Sequence, residues 1–413
     1  MFFRSLVLNS FSKLKHGTLT VVLPNSTCHV YGGLYKGADA EVRVLDERFF
    51  RRCVLFGAIG FAESFMAGEW ETPDLTGTIA WFILNSGDAE ALGKPQAPGA
   101  GIFNILNLVS RVVQKPRPSS LQECRENRRE HLSNEFFKLW LDPTMAYSSG
   151  YFDAPETSLE AAQVRKFDQV CHKLHLSASD EVLEIGSGWG GFSIHAARHC
   201  RCKVTTITTS EEQFSEASAR IQEAGLADRI EILLCDYRTI RGRYDKVVSL
   251  EMSEPLGDRF VDGYFAKIHQ VLKPHGLLAL QSVLCPDSQY RTLRDGVDFI
   301  QKHISPGSMF LCNARITEAM RATGDLNLLD YEDLSPHYAN TFRLWRRNFE
   351  AKRESVRALG FDDTFLRKWE YYLCYCEAAF GTRHISVAQA VYSRPNNMAI
   401  SSRVYPAYPV SSR

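Results

Sequence analysis

Val182-Leu183-Glu184-Ile185-Gly186-Ser187-Gly188-Trp189-Gly190-Gly191 joins a short apolar run to a run of glycines. Val182, Leu183 and Ile185 suit a central strand, and the glycines predict a tight turn into a helix. Gly186, Gly188 and Gly190 let the turning backbone approach a ligand with no Cβ in the way. Glu184 falls at the carboxyl end of the strand, where open α/β sheets bind their ligands. The glycine spacing differs from a dinucleotide fingerprint and points to a smaller cofactor. A turn that uses glycine for steric reasons alone is the competing reading.

The flanking sequence repeats the strand-then-polar pattern. Lys203-Val204-Thr205-Thr206-Ile207-Thr208 predicts a second strand, with Ser210-Glu211-Glu212-Gln213 opening a helix. Ile230-Glu231-Ile232-Leu233-Leu234 predicts a third, followed by Cys235-Asp236-Tyr237. Three successive strand ends therefore carry Glu184, then Thr208, then Asp236 with Tyr237. Such a series suits the amino acid, ribose and adenine parts of S-adenosylmethionine, the donor of a methyltransferase.

A chain of 413 residues can bury at least two cores. Lys plus Arg equals Asp plus Glu at 48 each, so no global field favours nucleic acid, and any attraction to a membrane or substrate is local. The 11 cysteines include Cys200 with Cys202 and Cys374 with Cys376, but no CxxC and no zinc-ligand spacing. Free thiols in a reducing compartment and no metal site are expected. The apolar run from Met1 to Asn9 is too short for a secretory signal, and no later run approaches a membrane span. The expectation is a cytoplasmic protein, with peripheral membrane association left open.

Three regions separate along the chain. Residues 1–90 mix short strands (Thr18 to Leu23, Glu41 to Leu45) with helical patterns from Glu47 to Met66 and Leu75 to Leu84, as a small α+β domain. Residues 91–129 begin with a Gly/Pro-rich linker and continue into an amphipathic helix carrying Ile102, Ile105, Leu106, Val109, Val112 and Val113. That helix reads either as a membrane-docking face or as packing between domains. Residues 130–395 alternate strands and helices as in a doubly wound, Rossmann-like α/β sheet, with helices inserted from about Arg291 to Met320 as an expected roof. The tail, 396–413, is expected to be loosely ordered.

These residues resemble the cyclopropane-fatty-acyl-phospholipid synthase family across almost the whole chain. The N-terminal part is similar through Gly17-Thr18-Leu19-Thr20-Val21 and Gly60-Phe61-Ala62-Glu63-Ser64-Phe65-Met66-Ala67-Gly68-Glu69-Trp70. The later part is similar through the segment Asp142 to Phe152, the glycine turn, Asp236-Tyr237-Arg238, Glu251-Met252-Ser253-Glu254, Leu272-Lys273-Pro274, His337-Tyr338 and Trp369-Glu370-Tyr371-Tyr372. The resemblance implies methyl(ene) transfer from S-adenosylmethionine to the cis double bond of an unsaturated phospholipid acyl chain at a membrane surface. A homodimer is compatible with it.

Residue by residue, the resemblance implies cofactor contacts at Tyr147, Ser148, Gly186, Gly188, Thr208, Gln213, Asp236 and Tyr237, to which the reading of the turn adds Glu184 and Gly190. It also implies a bicarbonate pocket at Glu254 and Tyr338, with Ser149 and Gln281 nearby in the catalytic set. The chain departs from the family pattern at four places. Ser149 stands for the usual Cys, Pro255 and Gln281 for His, and Arg129-Glu130-His131-Leu132 for His-Tyr-Asp-Leu. An amide at 281 donates and accepts hydrogen bonds but carries no proton. Three outcomes stay open: ring closure to a cyclopropane, a methyl or methylene branch, or an inactive lipid- or cofactor-binding relative. Duller readings stand beside these. Glu254 also suits a helix start, Glu251 is a competing carboxylate, and Tyr338 also suits a buried core position.

Overall fold

The computed structural model describes residues 2–85, 132–252, 257–398 and 400. The 91–129 linker helix, Arg129 to His131, Glu254, Pro255 and nearly all of the 396–413 tail lie outside them. The chain divides into two compact units.

The first unit comprises 1–131, 288–309 and 338–385. Its sheet runs β2 (Cys28–Gly32), β1 (His16–Val22), β3 (Tyr35–Val44), β4 (Trp70–Glu71) in spatial order. In β1 alternate residues are buried, among them Leu19 and Val21, which is the period-two pattern of a half-buried strand. Helix Leu75–Leu84 starts where expected, capped by Asp74, whose carboxylate accepts from Gly77 N at 2.9 Å. The expected domain split treats 130–395 as continuous, whereas two helical segments within it group with the N-terminal residues. The reason is apolar: helix Asp363–Gly381 packs against helices Arg48–Met66 and Leu75–Leu84.

The second unit comprises 132–287, 310–337 and 386–413. Its seven strands are β5 (Glu181–Ile185), β6 (Lys203–Thr208), β7 (Ile230–Leu234), β8 (Tyr244–Leu250), β9 (Leu272–Leu284), β10 (Asn327–Asp333) and β11 (Ser386–Ser393). Their spatial order is β10-β11-β9-β8-β5-β6-β7. β9, β8, β5, β6 and β7 are parallel, while β11 runs antiparallel to both β9 and β10. Strand order reverses between β5 and β8, which opens a crevice at their carboxyl ends. The structure is α/β and Rossmann-like, as the sequence predicts. Helix Asn313–Thr323 closes the segment expected as inserted helices. It packs on helix Val261–Val271, with Ile316, Ala319 and Met320 buried, and Arg315 ties it to Asp258 and Asp262, both at 2.8 Å. The described cysteines are all free thiols.

β9 lies between β8 and β11, and Leu278 pairs with Val247 on one side and Tyr392 on the other. Leu278 is wholly buried. Leu278→Ala should lower unfolding stability by about 2–5 kcal/mol in urea titration, with the slope unchanged.

Candidate active site

The glycine turn stands at the end of β5, anchored to its neighbour. Gly186 N and Ser187 N both donate to Ile207 O of β6, at 3.0 and 2.8 Å. Gly186, Gly188 and Gly190 all take positive φ, at 96°, 47° and 84°. Their surroundings differ. A Cβ on Gly186 would stand 2.2 Å from Met252 Cγ, so that glycine is needed for the protein's own packing. A Cβ on Gly188 would meet nothing within 4 Å. Gly188 thus borders open space at the switch point, with the form of a cradle for a ligand.

Glu184 lies beneath this turn, buried. Its Oε2 accepts from Thr206 Oγ1 at 2.6 Å and from the Ser193 hydroxyl, so this oxygen ties β5 to β6 and to helix Gly191–Cys200. Burial pushes the carboxyl up to about 7, opposed by those two hydroxyls and by Lys166. Thr208 Oγ1 donates to Gln213 Oε1 at 2.9 Å, which brings those two expected residues together at the end of β6. Asp236 accepts from the backbone N of Arg238 at 2.9 Å and pairs with its guanidinium. Tyr237 packs edge-on to Tyr264, centroids 5.2 Å apart.

The segment Asp142 to Phe152 is fastened to the turn. Arg220 donates to Pro143 O, Thr144 O and Trp189 O at 2.8, 3.1 and 3.0 Å. Tyr147 and Trp189 both pack on Phe137, at 5.6 and 5.0 Å. Ser148 leads to a buried residue that the sequence does not single out. Lys166, fully buried on helix Leu159–Lys173, donates to Ser148 Oγ at 2.7 Å and Gln163 Oε1 at 2.6 Å. Gln163 in turn donates to Ser148 O at 2.8 Å. Burial pushes the Lys166 amine down to about 8, against the pull of Glu251, Asp142 and Glu184. The one available signal was its place at i+3 from Gln163 on a helix face lined by Ala162, Phe167 and Val170.

Ser149 and Gln281 meet at Glu251, the carboxylate that competed with Glu254 in the sequence. Glu251 Oε1 accepts from Ser149 N at 2.9 Å and Gln281 Nε2 at 2.7 Å, and its backbone takes φ 55°. Gln389 on β11, also unforeseen, donates to Gln281 Oε1 at 3.2 Å. Glu254 lies outside the described residues. Tyr338 belongs to the first unit, where it lies within helix Ser335–Ala351 and its ring packs on Phe342 and Phe380 at 4.7 and 4.5 Å. Among the described residues no cluster of His, Cys, Asp or Glu has the form of a metal site.

The family described as Mycolic acid cyclopropane synthetase matches residues 120–390. The chain belongs to that family. Tuberculostearic acid methyltransferase UfaA1 of Mycobacterium tuberculosis is 37% identical over 352 residues, 82% of this chain and 79% of that one. Cyclopropane-fatty-acyl-phospholipid synthase of Escherichia coli is 30% identical over 364 residues, 86% of this chain and 88% of its own. Mycolic acid cyclopropane synthase CmaA1, solved with SAH and CTAB, superposes with a TM-score of 0.61 at 26% identity, covering 68% of this chain and 99% of its own. The protein is thus an S-adenosylmethionine-dependent methyltransferase of a lipid-modifying family. At Gly188 the turn leaves room for a ligand, since a Cβ there would meet nothing within 4 Å.

Gly188→Ala meets no steric bar, so folding should lose only about 1–2 kcal/mol for the left-handed backbone. S-adenosylmethionine affinity by calorimetry should fall about tenfold or more, the equivalent of 1.4 kcal/mol. Gly186→Ala should instead lower the melting temperature, through the clash with Met252. Glu184 also makes stability depend on pH. Its folded pKa of about 7 exceeds the ordinary 4.5, so the cost of burying it is absent below 4.5 and complete above about 7. From pH 5 to pH 8 the wild type should lose stability relative to Glu184→Gln, followed by denaturant midpoints.

Proposed function

We propose that the protein transfers a methyl group from S-adenosylmethionine to the cis double bond of an unsaturated phospholipid acyl chain, and that the product closes to a cyclopropane ring. One observation carries this reading: Gly186, two residues before the open position at Gly188, comes so close to Met252 that a Cβ there would stand 2.2 Å from its Cγ, and Met252 follows Glu251 of the polar cluster. Glycine turn, Thr208 with Gln213, Asp236 with Tyr237, and Tyr147 with Ser148 are the residues proposed to hold the cofactor, which supplies an electrophilic methyl. An alkene is a poor nucleophile, so the chain's own task is to position the π bond and exclude water from the cation that follows.

Ring closure needs a proton removed from the added methyl. In the Ser149, Glu251, Gln281, Gln389 cluster two members are amides, and the Ser149 hydroxyl donates to Gly150 O at 3.0 Å. Glu251 is therefore the member able to take a proton, and its carboxylate, fixed by Ser149 N and Gln281 Nε2, also offers a negative charge to the cation. Bicarbonate held by Glu254 and Tyr338 rests on the family resemblance, and no step here is derived through it. The amide at 281 favours one second reading, in which a hydride shift and proton loss elsewhere leave a methyl or methylene branch. The name of the 37% identical relative agrees with that reading.

Label from the S-adenosylmethionine methyl should appear in unsaturated phospholipid, and gas chromatography with mass spectrometry should find a cyclopropane acyl chain. A branched chain with no ring would replace the first reading by the second. Cofactor binding without any label transfer would mark an inactive relative. Glu251→Gln should lower kcat by about 10²–10⁴, the ordinary span for general acid–base catalysis, with S-adenosylmethionine binding kept.

A further inference from the structure

The chain is neutral overall, yet its first 38 residues contain Arg4, Lys13, Lys15 and Lys36 and no Asp or Glu. Arg4 pairs with Glu47. The other three flank one turn in sequence and in backbone pairing. Leu34 N and Tyr35 N both donate to Lys15 O at 3.0 Å, and the Tyr35 ring lies against His16 with centroids 5.0 Å apart. Lys13, Lys15 and Lys36 are exposed, and no ion pair engages them among the described residues. The first carboxylate in sequence, Asp39, accepts the Thr18 hydroxyl.

Between these cations the connection from β2 to β3 carries large apolar groups into solvent. Leu34 is 71% exposed, Tyr35 52%, and Val30 on the adjoining edge strand 67%. The tip is built rigidly. A Cβ on Gly17, Gly32 or Gly37 would come within 2.0, 2.2 or 2.6 Å of backbone atoms, so the strands approach there as only glycine permits. Buried Asn85 clamps the other side, accepting from Lys15 N and His16 N at 3.1 and 3.0 Å and donating to His16 O at 3.0 Å. Exposing apolar side chains beside unpaired lysines is costly in water and favourable at a negatively charged bilayer. There the cations meet headgroups and the apolar tip enters the interface.

We propose that Leu34 and Tyr35, flanked by Lys13, Lys15 and Lys36, form a docking tip for the surface of an anionic lipid bilayer. This deepens the lipid-substrate reading and rests on it for its purpose, though the binding itself needs no methyl donor. The test is sedimentation of the full chain with vesicles of phosphatidylglycerol and phosphatidylcholine. Binding should rise with the phosphatidylglycerol fraction and weaken at high salt. The K13E/K15E/K36E variant should lose about tenfold or more in partitioning to phosphatidylglycerol vesicles. L34S/Y35S should lose a comparable factor, with the fold retained, since all five side chains are exposed and the one contact removed is that of the Tyr35 ring with His16.

Equal partitioning of both variants and wild type overturns the proposal. So does a loss for the lysine variant alone, which would describe a general polyanion surface of the kind that binds nucleic acid. Loss of self-association with vesicle binding intact also overturns it, in favour of a second copy of this chain. As a check independent of charge reversal, Y35W should show a blue-shifted emission quenched by brominated lipid, and no quenching counts against the tip. Label transfer to detergent-dispersed phospholipid separates this from the proposed activity. Docking variants should keep it, whereas a wild type that sediments but transfers no label refutes the activity and leaves the tip standing.

Discussion

The buried Lys166 ammonium is the constraint on which the candidate site depends. It is shut away from water, bonded to Ser148 and Gln163, and within electrostatic reach of Asp142, Glu184 and Glu251. Carboxylates gathered in a low dielectric repel one another, and a shared cation offsets part of that repulsion. The same ammonium fixes the Ser148 hydroxyl, and Ser149, one residue on, fixes Glu251. Helix Leu159–Lys173, the segment after Asp142 and the end of β8 are therefore held by one polar network. That network also explains why Glu251 keeps a left-handed backbone that a non-glycine residue rarely adopts.

Glu184 and Glu251 show how position on the sheet divides two similar side chains. Glu184 sits one layer down, and its Oε2 is engaged by hydroxyls from β6 and from the following helix. It secures the geometry of the turn above it. Glu251 follows the last residue of β8 and takes its bonds from a backbone amide and a side-chain amide. The amide pair Gln281 and Gln389 spans β9 and β11, so the antiparallel strand at this end of the sheet takes part in holding the site.

Much of the second unit was legible because its signals are local. The runs at 203–208 and 230–234 coincide with β6 and β7, and the glycine turn lies where its spacing predicted. Boundaries blurred where local signals conflict. Lys273-Pro274-His275-Gly276 reads as a loop, yet β9 begins at Leu272 because pairing with Tyr244 continues through a register shift. Likewise a break at Lys352 interrupts the polar, helix-forming run that follows Ser335 and separates helix Ser335–Ala351 from helix Arg353–Ala358. Lys166 and Gln389 escaped notice because burial of a charge or an amide is set by tertiary neighbours, which no single-strand or single-helix pattern contains. The tip at Leu34 was hidden for the opposite reason, since apolar residues around Gly32-Gly33 read as ordinary strand and turn.

The first unit is assembled from three stretches of chain far apart in sequence. Thr76 donates to Glu377 at 3.2 Å across 301 residues, and helix Asp363–Gly381 covers helices formed almost at the start. During synthesis the N-terminal sheet thus leaves the ribosome long before helix Asp363–Gly381, after most of the second unit's strands have been made. Closing the core of the first unit is in consequence a late event, since the helix that covers its first helices is among the last elements of the chain to be made.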